Sequence, residues 1–235
     1  MDRRVLTDSS TVAAASAALV ARRIRAAVAR RGLCRLAVSG GSTPAAMFDV
    51  LVHLDVPWDA VELHQVDERV APAGTADRNA TQLEDHLLAP LRAAGRGLQR
   101  GAVHLLPVEE HDLAGAVTLA ARRLDAAKPF DLIHLGLGDD GHTASWPPGV
   151  DVPDGPALAV VGPFHGLRRV TMTPRVVNAA RSRLVVISGA SKAPAVERWA
   201  AGDRSAPISR VRRTGTTVVL DQAAAGSVAS WTRST

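Results

Sequence analysis

Short apolar runs alternate with longer amphipathic stretches along most of the chain. The runs are CRLAVSG (34–40), VELHQVDE (61–68), AVHLLP (102–107), FDLIHLGLG (130–138), ALAVVG (157–162), RLVVISG (183–189) and TTVVLD (216–221). Each is short, rich in Val, Leu and Ile, and closed by Gly, Pro or a charge, which reads as a buried strand. Helical patterning fills the spaces near 11–31, 44–54, 78–94, 112–127, 174–181 and 191–201. Continuous apolar strands alternating with helices predict an α/β fold with a largely parallel sheet covered on both faces. There is no internal repeat and no long linker. The Pro/Gly-rich region 147–169 has room for a small excursion, and the whole of 1–235 reads as a single domain.

Several helix starts are signed locally. Ser42 or Thr43 can cap a helix with Pro44 at its first position, Thr173-Pro174 repeats the device, and Ser191 can cap the helix that contains Lys192. Each follows a strand-like run. In an open parallel sheet such turns gather at the carboxyl edge, where ligands bind, so loops distant in sequence should converge on one crevice.

Composition narrows the classes. The chain has 235 residues, is 46% hydrophobic and contains no Tyr, three Phe and four Trp, so Ala and Val fill much of its core. The single cysteine, Cys34, lies in an apolar run and is expected to be a buried, inert thiol. No apolar stretch is long enough to span a membrane and no apolar region follows the first arginines, so neither a membrane span nor a signal peptide is expected, and a cytoplasmic location is. Net charge is +5, but the arginines come in scattered pairs without stacking aromatics. That excludes a nucleic-acid partner and suits an anionic small molecule.

Four segments carry candidate chemistry. In LAVSGGSTPAAMF (36–48) a strand runs through Gly40 and Gly41 into a helix, a turn whose N–H groups and helix dipole favour an anion. The hydroxyls of Ser42 and Thr43 add donors, and the lack of a G-K-[ST] sequence points to a phosphate monoester rather than ATP. In the second segment, Asp67-Glu68-Arg69 closes a strand at the same edge; Arg69 can grip a phosphate and Asp67 can accept from sugar hydroxyls. The third segment, DLIHLGLGDDGHTASWPPG (131–149), contains G-x-G-x-x-G at Gly136, Gly138 and Gly141. A dinucleotide fingerprint needs a long helix directly afterwards, which Pro147 and Pro148 forbid. The glycines instead turn the chain and expose His142, an imidazole whose ordinary pKa of about 6.5 suits a general base. Asp139 or Asp140 can orient it. In the fourth, Lys192 opens another helix; it is one of only two lysines and is placed to contact the same anion. The histidines show no H-x-x-x-H or H-E-x-x-H spacing and no G-x-S-x-G elbow is present, so no metal and no serine nucleophile are expected.

The motifs SGGSTP, VDER, GLGDDGHTAS, VTMTP…NAARSRLVVISGASKA and PISRV, in this order from about 12 to 222, resemble the 6-phosphogluconolactonase family. The resemblance implies a Rossmann-like three-layer sandwich, no cofactor, and hydrolysis of 6-phospho-D-glucono-1,5-lactone to 6-phosphogluconate in the oxidative pentose phosphate pathway. It implies His142 as general base, with Asp140 at the position of the motif's aspartate and Asp67 as the acidic residue of the second motif. Phosphate contacts fall on Gly40, Gly41, Ser42, Arg69 and Lys192, and Arg168 takes the basic position before the T-x-T strand. The partner is the small sugar-phosphate lactone, and the chain is expected to be a monomer or weak homo-oligomer. Where the family has TASLFPG, this chain has TASWPPG, so Trp146 and Pro147 are expected to reshape the pocket wall. A related deaminase pattern, DGHIAFNEPG, carries a Glu after its histidine; here none follows His142 until Glu197. A non-catalytic sugar-phosphate sensor would need an output module, for which the chain has no segment to spare.

Overall fold

The computed structural model describes residues 1–230. Its strands are β1 (Asp2–Leu6), β2 (Cys34–Val38), β3 (Val61–Gln65), β4 (Asp67–Arg69), β5 (Val103–His104), β6 (Leu132–Leu135), β7 (Leu158–Phe164), β8 (Leu167–Met172), β9 (Arg183–Ile187) and β10 (Thr216–Asp221). Seven of them form one sheet in the order β1-β10-β9-β6-β2-β3-β5, with every pair parallel. Strand residues divide by parity between two apolar clusters, as a pleated sheet buried on both faces requires. Leu36, Leu132, Leu184 and Val219 face one way, towards the helices Ser9–Arg31 and Ser42–Leu51. Ala37, Ile133, Val185 and Val218 face the other, towards Val117, Trp146, Val177 and Trp199. The result is the expected α/β architecture of helix, sheet and helix layers.

The helices lie close to their predicted bounds. The first, Ser9–Arg31, begins two residues earlier than the apolar pattern suggests. Asp8 accepts from the Thr11 backbone N–H at 2.8 Å, the Thr11 hydroxyl reciprocates, and Gly32 ends the helix in left-handed conformation. Residues 79–93 form one continuous helical stretch with a wide π-turn at Glu84–Leu88. Leu113–Ala126, Pro174–Ala179 and Ala193–Ala200 follow.

Two features depart from the sequence reading. VELHQVDE is two strands rather than one. At Val66 the chain leaves the large sheet: its N–H donates to the Val38 carbonyl at 2.9 Å, while its own carbonyl accepts from Met172 N–H at 2.7 Å. The next three residues, β4, then pair antiparallel with β8, which pairs antiparallel with β7. The hairpin β7–β8 falls largely within the excursion expected at 147–169, and with β4 from 67–69 it makes a three-stranded antiparallel sheet at the carboxyl edge of the large one, so ALAVVG leaves the parallel sheet in which it was expected. Edge strand β1 is the other addition; three charged residues, Asp2 to Arg4, stand before its only two apolar ones, Val5 and Leu6, and mask it. Cys34 is buried and free, and burial followed by the nearby Asp131 charge pushes its thiol up to about 12, so it is inert as expected. Among the described residues no helix is long and apolar enough to cross a membrane.

Candidate active site

Strands β2 and β6 are neighbours, yet the chain winds from β2 towards β3 and from β6 towards β9. Their carboxyl ends are therefore the place where the strand order reverses, and a crevice opens there. A cavity of about 360 Å³ occupies it. The turns after β2, β3, β6 and β9 all reach it, so four loops distant in sequence meet as expected.

The turn after β2 presents the anion-binding face. Gly41 sits at φ 122°, a conformation that side-chain-bearing residues rarely adopt, and precedes the helix Ser42–Leu51 as its N-cap. Neither Ser42 nor Thr43 caps that helix by a side-chain bond: Ser42 and Thr43 are already its first two residues, because Gly41 completes the turn without a Cβ to accommodate. The Gly41 N–H donates to Gln82 Oε1 at 2.7 Å. The N–H groups of Ser42 and Thr43 have no carbonyl one turn earlier to bond, and both residues line the cavity at the positive end of the helix dipole.

The strand β4 carries the second face. Glu68 is fully buried and wholly occupied: it accepts from the backbone N–H groups of Arg69, Asn79 and Ala80 and from Gln65 Nε2, all at 2.7–2.8 Å, and pairs with Arg78 at 3.3 Å. It thereby fastens the N-terminus of the helical stretch at Asn79 to β4 and fixes its neighbours on either side. Arg69 reaches the cavity with one guanidinium nitrogen held by the Asp77 carbonyl at 2.9 Å. Asp67 is buried and accepts from Ser145 Oγ at 2.6 Å; burial, only partly offset by that bond and by Arg69, pushes its carboxyl up.

Arg168 is the site residue that the structure does not bring in. It is exposed, and its neighbour Arg169 lines the cavity instead. Successive residues of a strand face opposite sides, so a one-residue misplacement exchanges in for out. Pairing of Arg69 with Arg169 across β4 and β8 sets the parity. The Arg169 guanidinium lies over the Phe164 ring, 4.9 Å from its centroid, and donates to the Phe164 carbonyl; burial and then the Arg69 charge lower its pKa.

The turn after β6 carries the imidazole. Gly138 N–H donates to the His142 carbonyl at 2.8 Å and Gly141 N–H to the Gly138 carbonyl at 3.0 Å, closing a tight loop. A Cβ on Gly138 would fall 2.0 Å from His142 Nδ1, so this glycine is what makes room for the ring. Asp140 resolves the choice between the two aspartates. Its Oδ1 accepts from the His142 backbone N–H at 3.0 Å and meets His142 Nδ1 at 2.6 Å. Partial burial works against its charge, but these contacts outweigh it and hold the carboxyl below its usual range. Asp140 stands behind the ring, outside the cavity lining, and leaves Nε2 as the imidazole nitrogen available for chemistry. Phe164 packs edge-on against the ring at 5.0 Å. Asp139 turns the other way, to Lys192 Nζ and Ser191 Oγ, and the Lys192 contact leads in lowering its pKa. Ligand atoms of Asp140, His142 and His165 lie within 4.8 Å of one another, a spacing that admits a metal, but the Nδ1 contact already engages the first two as an orienting pair.

Past the histidine, Ala144 lines the cavity at φ 49°, a strained conformation worth about 1–3 kcal/mol in a residue with a Cβ. Ser145 pins it through Asp67 and through its own N–H, which donates to Thr171 Oγ1 at 3.2 Å. Trp146 does not reshape the pocket wall. It is fully buried in the core, its Nε1 donating to the Met172 carbonyl at 2.8 Å. Lys192 closes a single 3-10 turn, Ala190–Lys192, before the helix Ala193–Ala200; Ser191 gives its hydroxyl to Asp139 and does not cap.

The sequence reading missed Arg169, the Gln82 contact to the glycine turn, and the Glu68–Asn79 fastening. Only Arg169 left a signal, as the second of two adjacent arginines at the start of an alternating strand. The described cavity thus holds three cations, Arg69, Arg169 and Lys192, a helix N-terminus, and one imidazole oriented by a carboxylate.

Known proteins match this arrangement along most of the chain. The family described as glucosamine-6-phosphate isomerases/6-phosphogluconolactonase matches residues 7–220. A 6-phosphogluconolactonase of Pseudomonas aeruginosa is 37% identical over 187 residues, 75% of this chain and 75% of its own. Among solved structures, a 6-phosphogluconolactonase from Shewanella baltica superposes with a TM-score of 0.79 at 24% identity, covering 94% of this chain and 97% of that one. A monomeric glucosamine-6-phosphate deaminase superposes with a TM-score of 0.84 at 18% identity, covering 96% and 99%. Fold alone therefore does not separate the two activities, while the sequence match reaches across the motifs that build the cavity. This chain belongs to the glucosamine-6-phosphate isomerase/6-phosphogluconolactonase family.

Proposed function

We propose that the chain is a 6-phosphogluconolactonase that hydrolyses 6-phospho-D-glucono-1,5-lactone to 6-phosphogluconate, with His142 as general base. The observation that carries the reading is the His142–Asp140 pair at 2.6 Å beside a cavity lined by cations and a helix N-terminus. A phosphate monoester satisfies the N–H groups of Ser42 and Thr43 and the charges of Arg69, Arg169 and Lys192. Binding at this remote group fixes the lactone ring relative to the imidazole. Neutral His142 takes a proton from water as the oxygen attacks C1. The tetrahedral intermediate collapses with cleavage of the bond from C1 to the ring oxygen, and the imidazolium returns its proton to that oxygen. Asp140 holds the ring and stabilises its charged form without itself exchanging a proton. Asp67, buried and tied to Ser145, positions the turn that follows the histidine.

The deaminase pattern adds a Glu after the histidine to the aspartate before it, and here no Glu follows His142 until Glu197. The test is hydrolysis of freshly generated lactone, read against its spontaneous decay, beside ammonia release from glucosamine 6-phosphate. Acceleration of the first alone supports the reading; ammonia release alone replaces it.

A further inference from the structure

A second cluster of ligating side chains lies away from the crevice, on the edge of the large sheet. Parallel pairing of β3 with β5 sets His64 directly beside His104, and Glu62, two residues earlier on β3, points to the same face. One ligand atom from each of Glu62, His64 and His104 lies within 4.8 Å of the other two. All three line a cavity of about 520 Å³, bounded by the helix Leu113–Ala126, that shares no residue with the crevice.

We propose that Glu62, His64 and His104 bind a divalent transition-metal ion of the zinc type. His64 makes the strongest case. Its side chain is about nine-tenths buried, yet Nε2 has no hydrogen-bond partner among the described residues and stands 4.0 Å from Glu62 Oε2. A buried ring nitrogen without a partner is uncommon and needs an explanation. Two imidazoles and a carboxylate are the donor set that zinc takes at sites which keep a position open, and the cavity supplies space for water as a further ligand. The supporting contacts are present as well. Arg35 Nε donates to Glu62 Oε2 at 3.0 Å, orienting the carboxylate, and Phe130 packs edge-on to His64 at 4.9 Å. The two imidazoles stack, with centroids 4.2 Å apart, so coordination requires them to open towards the ion. His104 is exposed and sits on a two-residue edge strand, which gives it that freedom. A bound ion would cross-link this short edge to β3.

The test uses the untagged full chain, stripped with chelator. Zn²⁺ is titrated calorimetrically, and Co²⁺ is followed by its visible d–d absorption. The expected result is one Zn²⁺ per chain, a Kd raised at least about tenfold by His104→Ala or Glu62→Gln, and a Tm that rises with Zn²⁺ only when both residues are present. His104 is exposed, so its removal leaves folding intact, which circular dichroism checks. The double variant His142→Ala/His165→Ala removes the competing cluster around His142 and should leave the Zn²⁺ affinity unchanged. Absence of binding at micromolar Zn²⁺, binding that survives His104→Ala, or binding lost in the double variant would each overturn the proposal.

Discussion

His134 and His142 belong to one strand and the turn that leaves it, and their surroundings make them different chemical objects. His134 lies in the middle of β6, fully buried, with neither ring nitrogen hydrogen-bonded. Burial holds its pKa down to about 3, so it behaves as a flat apolar ring beside Phe48. His142 lies beyond the carboxyl end of the same strand, partly exposed, with a carboxylate on one nitrogen and the cavity before it. What decides the role of a histidine here is its position relative to the sheet edge. The middle of a parallel strand has neither water nor free backbone groups, whereas the edge has both.

The comparison can be broken most severely at Gly138. Gly138→Ala puts a methyl group where the His142 ring sits, and displacement of the proposed base should cost on the order of 10²-fold in kcat/KM. Steady-state kinetics on the phosphorylated lactone read this directly, and wild-type activity in a folded variant would show that the ring tolerates movement. Asp140→Asn keeps the size of the orienting group but removes its charge; a loss of roughly tenfold or more is expected, since the imidazolium loses its stabilising partner. Next in size is a contrast between adjacent arginines. Arg169→Ala should raise KM for the phosphorylated lactone by roughly tenfold, the value of one hydrogen bond to a charged group, and leave unphosphorylated gluconolactone unaffected. Arg168→Ala should change neither substrate's KM by more than about twofold, because a solvated surface arginine makes little difference.

The smallest effect on activity is expected at the other end of the comparison. His134→Leu should leave kcat/KM unchanged and flatten the acid limb of stability. The folded pKa of His134 is depressed from 6.5 to about 3, so between these values the unfolded chain binds a proton that the folded chain does not. Stability therefore falls as pH drops through this window, by roughly 2 kcal/mol per such histidine between pH 7 and pH 5. His64, held down to about 2, adds to the same limb. Denaturant unfolding at the two pH values measures the difference, and an equal fall in wild type and His134→Leu would remove His134 from the account.

Much of this was legible in the chain. Parallel strands buried on both faces write themselves as apolar runs, and glycine-rich turns at their ends mark the crevice. That is why Gly41, Arg69, His142 and Lys192 could be placed before their contacts were known. The rest depends on pairing between distant segments. Arg168 and Arg169 are equivalent as sequence, and only the register of β8 against β4 sends one inward. Strand β4 is three residues long and continues an apolar run, so the change of sheet at Val66 leaves no break in composition. His64 and His104 are separated by a helical stretch and meet only through the β3–β5 pairing, which no ligand spacing along the chain reveals.

The central claim is that the loop after β6 exists to present His142 as a base. The most direct measurement is the rate at which His142→Ala hydrolyses freshly generated 6-phosphogluconolactone, corrected for spontaneous decay, with wild type alongside and folding checked by circular dichroism. A loss of about 10²–10⁴ in rate is expected, the range for removing a general base. A folded His142→Ala variant that stays within a few-fold of wild type would contradict it.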